Sequence, residues 1–83
     1  MKYIVFETCE IPGFDHIGLS FPDFVQHKDF ARHFPTWIPV SAGFVKFEAT
    51  CDGDEQRIIT FCFGESESLK IKSDPNDSDF FPQ

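Results

Sequence analysis

The stretch from Val40 to Phe63 constrains this chain more than any other. VSAGFVKFEATC (40–51) and RIITFCF (57–63) are rich in β-branched and aromatic residues at two-residue alternation. Asp52-Gly53-Asp54-Glu55 lies between them, and two such runs about a short Gly-containing turn predict an antiparallel hairpin. In the first run Val45, Phe47, Ala49 and Cys51 share one parity and are expected inward. Val40, Ala42 and Phe44 take the other. The apolar face therefore changes near Gly43, which predicts a β-bulge or a close backbone approach there.

The rest of the chain is read around that hairpin. KYIVFE (2–7) is apolar on both parities, as in a strand covered on both sides. After a turn at Ile11-Pro12-Gly13, HIGLSF (16–21) places Ile17, Leu19 and Phe21 on one face of a half-buried strand. Ser20 and Asp23 fit an S-x-x-D cap with Pro22 in the first turn, and predict a helix over about 23–33. Phe24, Phe30, Ala31 and Phe34 share one arc of it, with Gln26, Asp29, Arg32 and His33 opposite. Pro35 ends it, and 37–39 reads as a connector because of Pro39. Gly64 reads as a second bulge, and Leu69 and Ile71 alternate with Lys70 and Lys72 in a last edge strand. Asp74-Pro75-Asn76-Asp77 predicts a capped turn of helix, with Phe80 and Phe81 docking the tail. The expectation is an α+β fold: a mostly antiparallel sheet of about five strands, one helix packed on one face, and a short C-terminal helical turn. Residues 1–83 are expected to form a single compact domain.

A chain of 83 residues buries only about 60–65% of the surface it exposes when unfolded, so its core must be economical. Twelve Phe, one Trp and one Tyr supply it, because each ring removes about 150–250 Å² from water. Cys9, Cys51 and Cys62 are odd in number and widely spaced, and are expected as free, buried thiols in a reducing compartment. Near the N-terminus, four apolar residues (Tyr3 to Phe6) fall short of a signal sequence, and no apolar run reaches the roughly 18 residues that span a bilayer. The expectation is a soluble cytoplasmic protein without a membrane partner.

The net charge is −7, distributed unevenly. Residues 1–47 carry five acids and four bases, whereas residues 48–83 carry nine acids and three bases. Direct nucleic-acid binding is disfavoured, since phosphate neutralisation requires clustered Lys and Arg. A basic protein surface is the partner that such a field attracts. Asp52, Asp54, Glu55, Glu65, Glu67, Asp74, Asp77 and Asp79 are the candidate partner-binding residues, with Glu48 beside them. If hairpin and tail lie together, these carboxylates gather at one end and edge of the sheet, and could occupy a basic nucleic-acid site as a phosphate backbone does. The alternative is ordinary solubilising charge.

No catalytic arrangement emerges. There is no G-x-S-x-G elbow, and Cys62 sits in an apolar strand without a local His. His27 and His33 are six apart and point to different faces of a helix, so no metal or cofactor is expected. The tail 74–79 resembles half of a calcium loop but has Asp79 where that loop needs Gly, so a capped turn explains it better. His27 falls within the apolar arc, as a core-edge histidine bonded to a backbone carbonyl would. Ser41 raises the same question of a structural or functional role, as does the polar run Gly64-Glu65-Ser66-Glu67-Ser68, a ligand loop or a solvated turn.

PVSAGFVKF (39–47), FCFGESESLKIKS (61–73) and DPNDSDFF (74–81), with Phe21-Pro22 followed by His27, are similar to small proteins of tailed-phage and prophage genomes. That resemblance spans most of the chain and brings no catalytic or binding residue. It implies a bacterial cytoplasm and a role between phage and host, or between phages. Three functions stay open: a non-enzymatic module binding a basic protein surface, a self-associating phage accessory protein that uses its Phe-rich faces, and a small enzyme or metal- or ligand-binding protein.

Overall fold

A computed structural model describes residues 1–81. Four strands form an antiparallel sheet: β1 (Lys2–Glu7), β2 (His16–Phe21), β3 (Ile38–Asp52) and β4 (Glu55–Phe63), in the order β2-β1-β3-β4. One short helix, α1 (His27–Ala31), precedes β3. β5 (Glu65–Ser66) and β6 (Ile71–Lys72) form a separate two-stranded sheet beside β3, and a 3-10 turn (Asp77–Phe80) follows. The fold is α+β and mostly antiparallel. Of the last expected strand only Ile71 and Lys72 form one, with Leu69 in the turn before it, and it pairs with β5 instead of extending the main sheet, which has four strands rather than five.

β1 is central and fully buried from Tyr3 to Phe6, covered on both sides as its two-faced apolar sequence requires. On one side Ile4, Phe6, Phe21 and Ala42 pack under Val25, Phe30, Ala31, Phe34 and Trp37. Phe30 stacks on Phe21 with ring centroids 4.2 Å apart, and Phe34 and Trp37 close over Phe6. Ile17 and Leu19 join the same side, in agreement with the alternation of β2. On the other side Tyr3, Val5 and Val45 pack against Phe81, with Cys62 at the margin. There Gly18 leaves room for the tail, because a Cβ would lie 2.7 Å from that of Phe80.

Several local expectations are corrected. The helix spans five residues, not eleven. Ser20 remains in β2, Pro22 accepts a turn bond from the Val25 N–H, and Gln26 precedes the helix without a side-chain cap. Phe24, expected in the apolar arc, is 88% exposed. Pro39 lies inside β3, tolerated because the β1 register slips there: Val5 faces Ser41 while Phe6 faces Pro39, leaving Val40 as the extra residue. The bulge is thus at Val40. Gly43 is the close approach, since a Cβ added there would lie 2.4 Å from the Phe63 carbonyl oxygen, where Gly64 (φ +78°) turns the chain out of β4. All three thiols are free, as expected, but Cys9 and Cys51 are exposed rather than buried.

β3 is longer than either neighbour needs. β1 pairs with residues 38–44 and β4 with residues 44–52, so the β3–β4 hairpin continues past β1 as a two-stranded arm. The whole measures 45 × 30 × 20 Å. Gly43→Ala is expected to destabilise the protein by about 2–3 kcal/mol in urea denaturation, because backbone rather than a movable side chain blocks the new methyl. Gly13→Ala, where nothing lies within 4 Å, carries only the conformational cost of its positive φ and should lose about 1 kcal/mol.

Candidate functional site

The tail is held by a buried carboxylate. Asp77, 3% exposed, accepts hydrogen bonds on one oxygen from the Tyr3 hydroxyl and from the Asp74 N–H (2.9 Å), and on the other from the Ser41 hydroxyl (2.9 Å). Asp74 in turn accepts from the Asn76 N–H through its side chain and from the Asp77 N–H through its carbonyl. The turn expected at 74–77 therefore forms, and its last carboxylate points into the protein. Burial, reinforced by the bond to Asp77, raises the Tyr3 hydroxyl pKa far above the ordinary tyrosine value. The Cys62 thiol is pushed up to about 11, first by burial and then by the negative charge of Asp77. A thiol so protonated is a poor nucleophile. The cluster is a structural lock.

His27, 4% exposed, has its Nε2 2.9 Å from the Gly43 carbonyl oxygen. A carbonyl only accepts, so Nε2 carries the proton. The ring packs edge-on against Phe21 and Phe44, and burial lowers its pKa despite that hydrogen bond. This is the core-edge histidine anticipated from its place among phenylalanines. Ser66 is buried and its hydroxyl accepts from the Leu69 N–H, while the Ser68 hydroxyl accepts from the Lys28 N–H near the start of α1. These serines join β5–β6 to the helix. Among the described residues no group of three or more His, Cys, Asp or Glu gathers as metal ligands, and no helix is long and apolar enough to cross a membrane.

The acidic residues fall into separate groups. Asp52, Asp54 and Glu55 stand at the turn of the β3–β4 arm, where Gly53 (φ +67°) opens a two-residue connection. Glu65, Glu67 and Asp74 are exposed about a hollow of about 720 Å³ that Lys70 and Lys72 also line. A second hollow, lined by Lys2 and His27, shares Glu65 and Glu67, which form the ridge between the two. The nine residues of β4 separate arm tip from ridge by about 30 Å. Asp79 is exposed beside the docked tail. Asp77, expected among the partner-facing carboxylates, is removed from that set by burial. Only its bonds to Tyr3 and Ser41, distant in sequence, distinguish it from the neighbouring acids.

The arm also carries exposed apolar surface, including Phe47, which alternation places inward. Phe63, Phe61 and Ile59 follow Phe44 on the side of the sheet that bears α1 and are 51, 46 and 42% exposed. On the reverse are Phe47 and Ile58, of which Phe47 meets Phe81 edge to face. Lys46 and Glu48 form an ion pair along the arm at 2.7 Å, and Arg57 bridges to Glu55 at 3.4 Å.

Two measurements test the buried groups. Asp77→Ala should cost about 2–5 kcal/mol in chemical denaturation by stranding two buried hydroxyls, and Tyr3→Phe should cost less in that background than in the wild type. Stability should also peak between about pH 6.5 and 9. A histidine whose folded pKa is lowered loses stability as pH falls below 6.5, and a thiol raised from 9.0 loses it as pH climbs from 9 towards 11. His27→Gln should flatten the acid limb and Cys62→Ala the first part of the alkaline one, both read from urea midpoints across pH.

No family model, curated protein or solved structure matches the chain, so its function is to be read from these residues.

Proposed function

We propose that the chain is a non-enzymatic binding module that presents carboxylates to a basic protein surface. The observation that carries this reading is the β3–β4 arm, which continues past β1 and holds Asp52, Asp54 and Glu55 at its turn. Acids on a projecting hairpin reach a partner without the body having to approach, and their field steers a positively charged surface. Glu65, Glu67, Asp74 and Asp79 supply a second region of negative charge on the body, tempered by Lys70 and Lys72. With net charge −7, direct contact with nucleic acid or an anionic membrane is disfavoured. The sequence resemblance to tailed-phage and prophage proteins implies a partner in a bacterial cytoplasm, for which a host nucleic-acid-binding protein has the appropriate basic surface.

A second reading, a self-associating accessory protein, is favoured by a different observation. Phe47, Ile58, Ile59, Phe61 and Phe63 leave apolar surface on both sides of the arm.

Affinity capture from a bacterial lysate at about 50 and 300 mM salt distinguishes them, because exposed charges lose most of their long-range attraction over that range. A partner retained at low salt and released at high salt is expected, and Asp52→Lys with Asp54→Lys and Glu55→Lys should abolish its retention. Capture undiminished by that triple reversal would overturn the acidic-surface reading.

A further inference from the structure

The distal half of β3 leaves one hydrogen-bonding edge open. Val45 exchanges backbone bonds with Met1 at 2.8 and 3.3 Å, on the edge along which β1 pairs. Alternation then directs the N–H and C=O groups of Phe47, Ala49 and Cys51 to that same edge, away from β4. β1 reaches no further, and among the described residues no strand pairs with β3 there. Such an edge is a template for another strand.

We propose that a second copy of this chain occupies it, the two β3 strands running antiparallel about a two-fold axis at Ala49. Phe47 of each copy then faces Cys51 of the other and Ala49 faces Ala49, in narrow pairs that exchange about six backbone hydrogen bonds. The side chains at the axis are methyl groups, so the approach is unobstructed.

The charges argue for this occupant and this register. On the other side of the ribbon Lys46, which already pairs with Glu48 of its own chain at 2.7 Å, also faces Asp52 of the second copy, twice by symmetry, and Glu48 faces Thr50. Sliding the axis by one residue while keeping the hydrogen-bonding parity destroys the match. An axis at Glu48 sets Glu48 against Glu48, and an axis at Thr50 sets Glu48 against Asp52. For a chain of net charge −7, only a locally complementary register offsets the general repulsion. The paired segment is short, so the interface falls below standard size and assembly depends on concentration. Asp52 is shared with the proposed partner surface, whereas Asp54, Glu55, Glu65 and Glu67 take no part in the pairing, and sedimentation of the chain alone reads the pairing with no basic partner present.

Sedimentation velocity of the full chain under reducing conditions tests it, over about 10 µM to 1 mM, a range suited to an interface below about 1,200 Å². The mass should rise from one chain towards two. Lys46→Asp and Asp52→Lys should each weaken the dimer about tenfold by opposing like charges, and the two together should restore it to within about threefold of wild type. Ala49→Pro removes the axial N–H without touching a β3–β4 bond and should leave a monomer. A wild-type chain of single mass at the highest concentration, or a double reversal no tighter than the single ones, would overturn the proposal.

Discussion

The fifteen residues of β3 are the constraint on which the rest of the structure depends. Their first half pairs with β1 and their second half with β4, so the strand belongs to two different environments. Along the first half, α1 and the segments around it cover one face of the sheet and the tail covers the other. Along the second half neither cover reaches far. Side chains of the same chemistry, such as Phe6 and Phe61, therefore end up fully buried and half exposed respectively. A sheet whose central strand is only six residues long cannot shield a neighbour more than twice its length.

The cover on the tail side combines opposed contributions. Phe81 brings apolar area against Tyr3 and Phe47, and burial of a ring is favourable by about 25 cal/mol per Å². Asp77 works against it, since a carboxylate leaves water at considerable cost unless hydrogen bonds replace its hydration. Three donors do so, and hydrogen bonds to a charged acceptor are stronger than neutral ones. The carboxylate contributes position more than net energy: it fixes where the 3-10 turn sits, and so where Phe81 enters. Gly18 completes the fit by leaving β2 without a side chain where the tail crosses.

Much of this was legible in the amino-acid sequence where the signal is local. Gly53 between two alternating runs identifies the hairpin, and apolar residues on both parities of residues 3–6 identify a strand buried on both sides. His27 among phenylalanines reads correctly as a carbonyl-bonded histidine. The helix was overextended because a cap pattern at Ser20 and an apolar arc through Phe24 compete with β2, whose pairing with β1 retains Ser20. Asp77 was not legible, since one acid among several in a polar tail has nothing local to mark it. Its partners, Tyr3 and Ser41, are 74 and 36 residues away. The division of the acidic residues was hidden for a related reason: alternation identifies strands but not where a neighbouring strand stops.

The distance between Tyr3 and Asp77 has a kinetic meaning as well. Nearly the whole chain must be in place before the tail-side cover of the sheet can close, because Tyr3 and Val5 find their packing partner at Phe81. Contacts this distant in sequence are entropically slow to form and give their reward late. Until the tail arrives, β1 presents aromatic and aliphatic side chains on one face to whatever is nearby. The interval between hairpin formation and tail docking is therefore the period in which this chain is most open to misassociation, and docking of the last turn ends it.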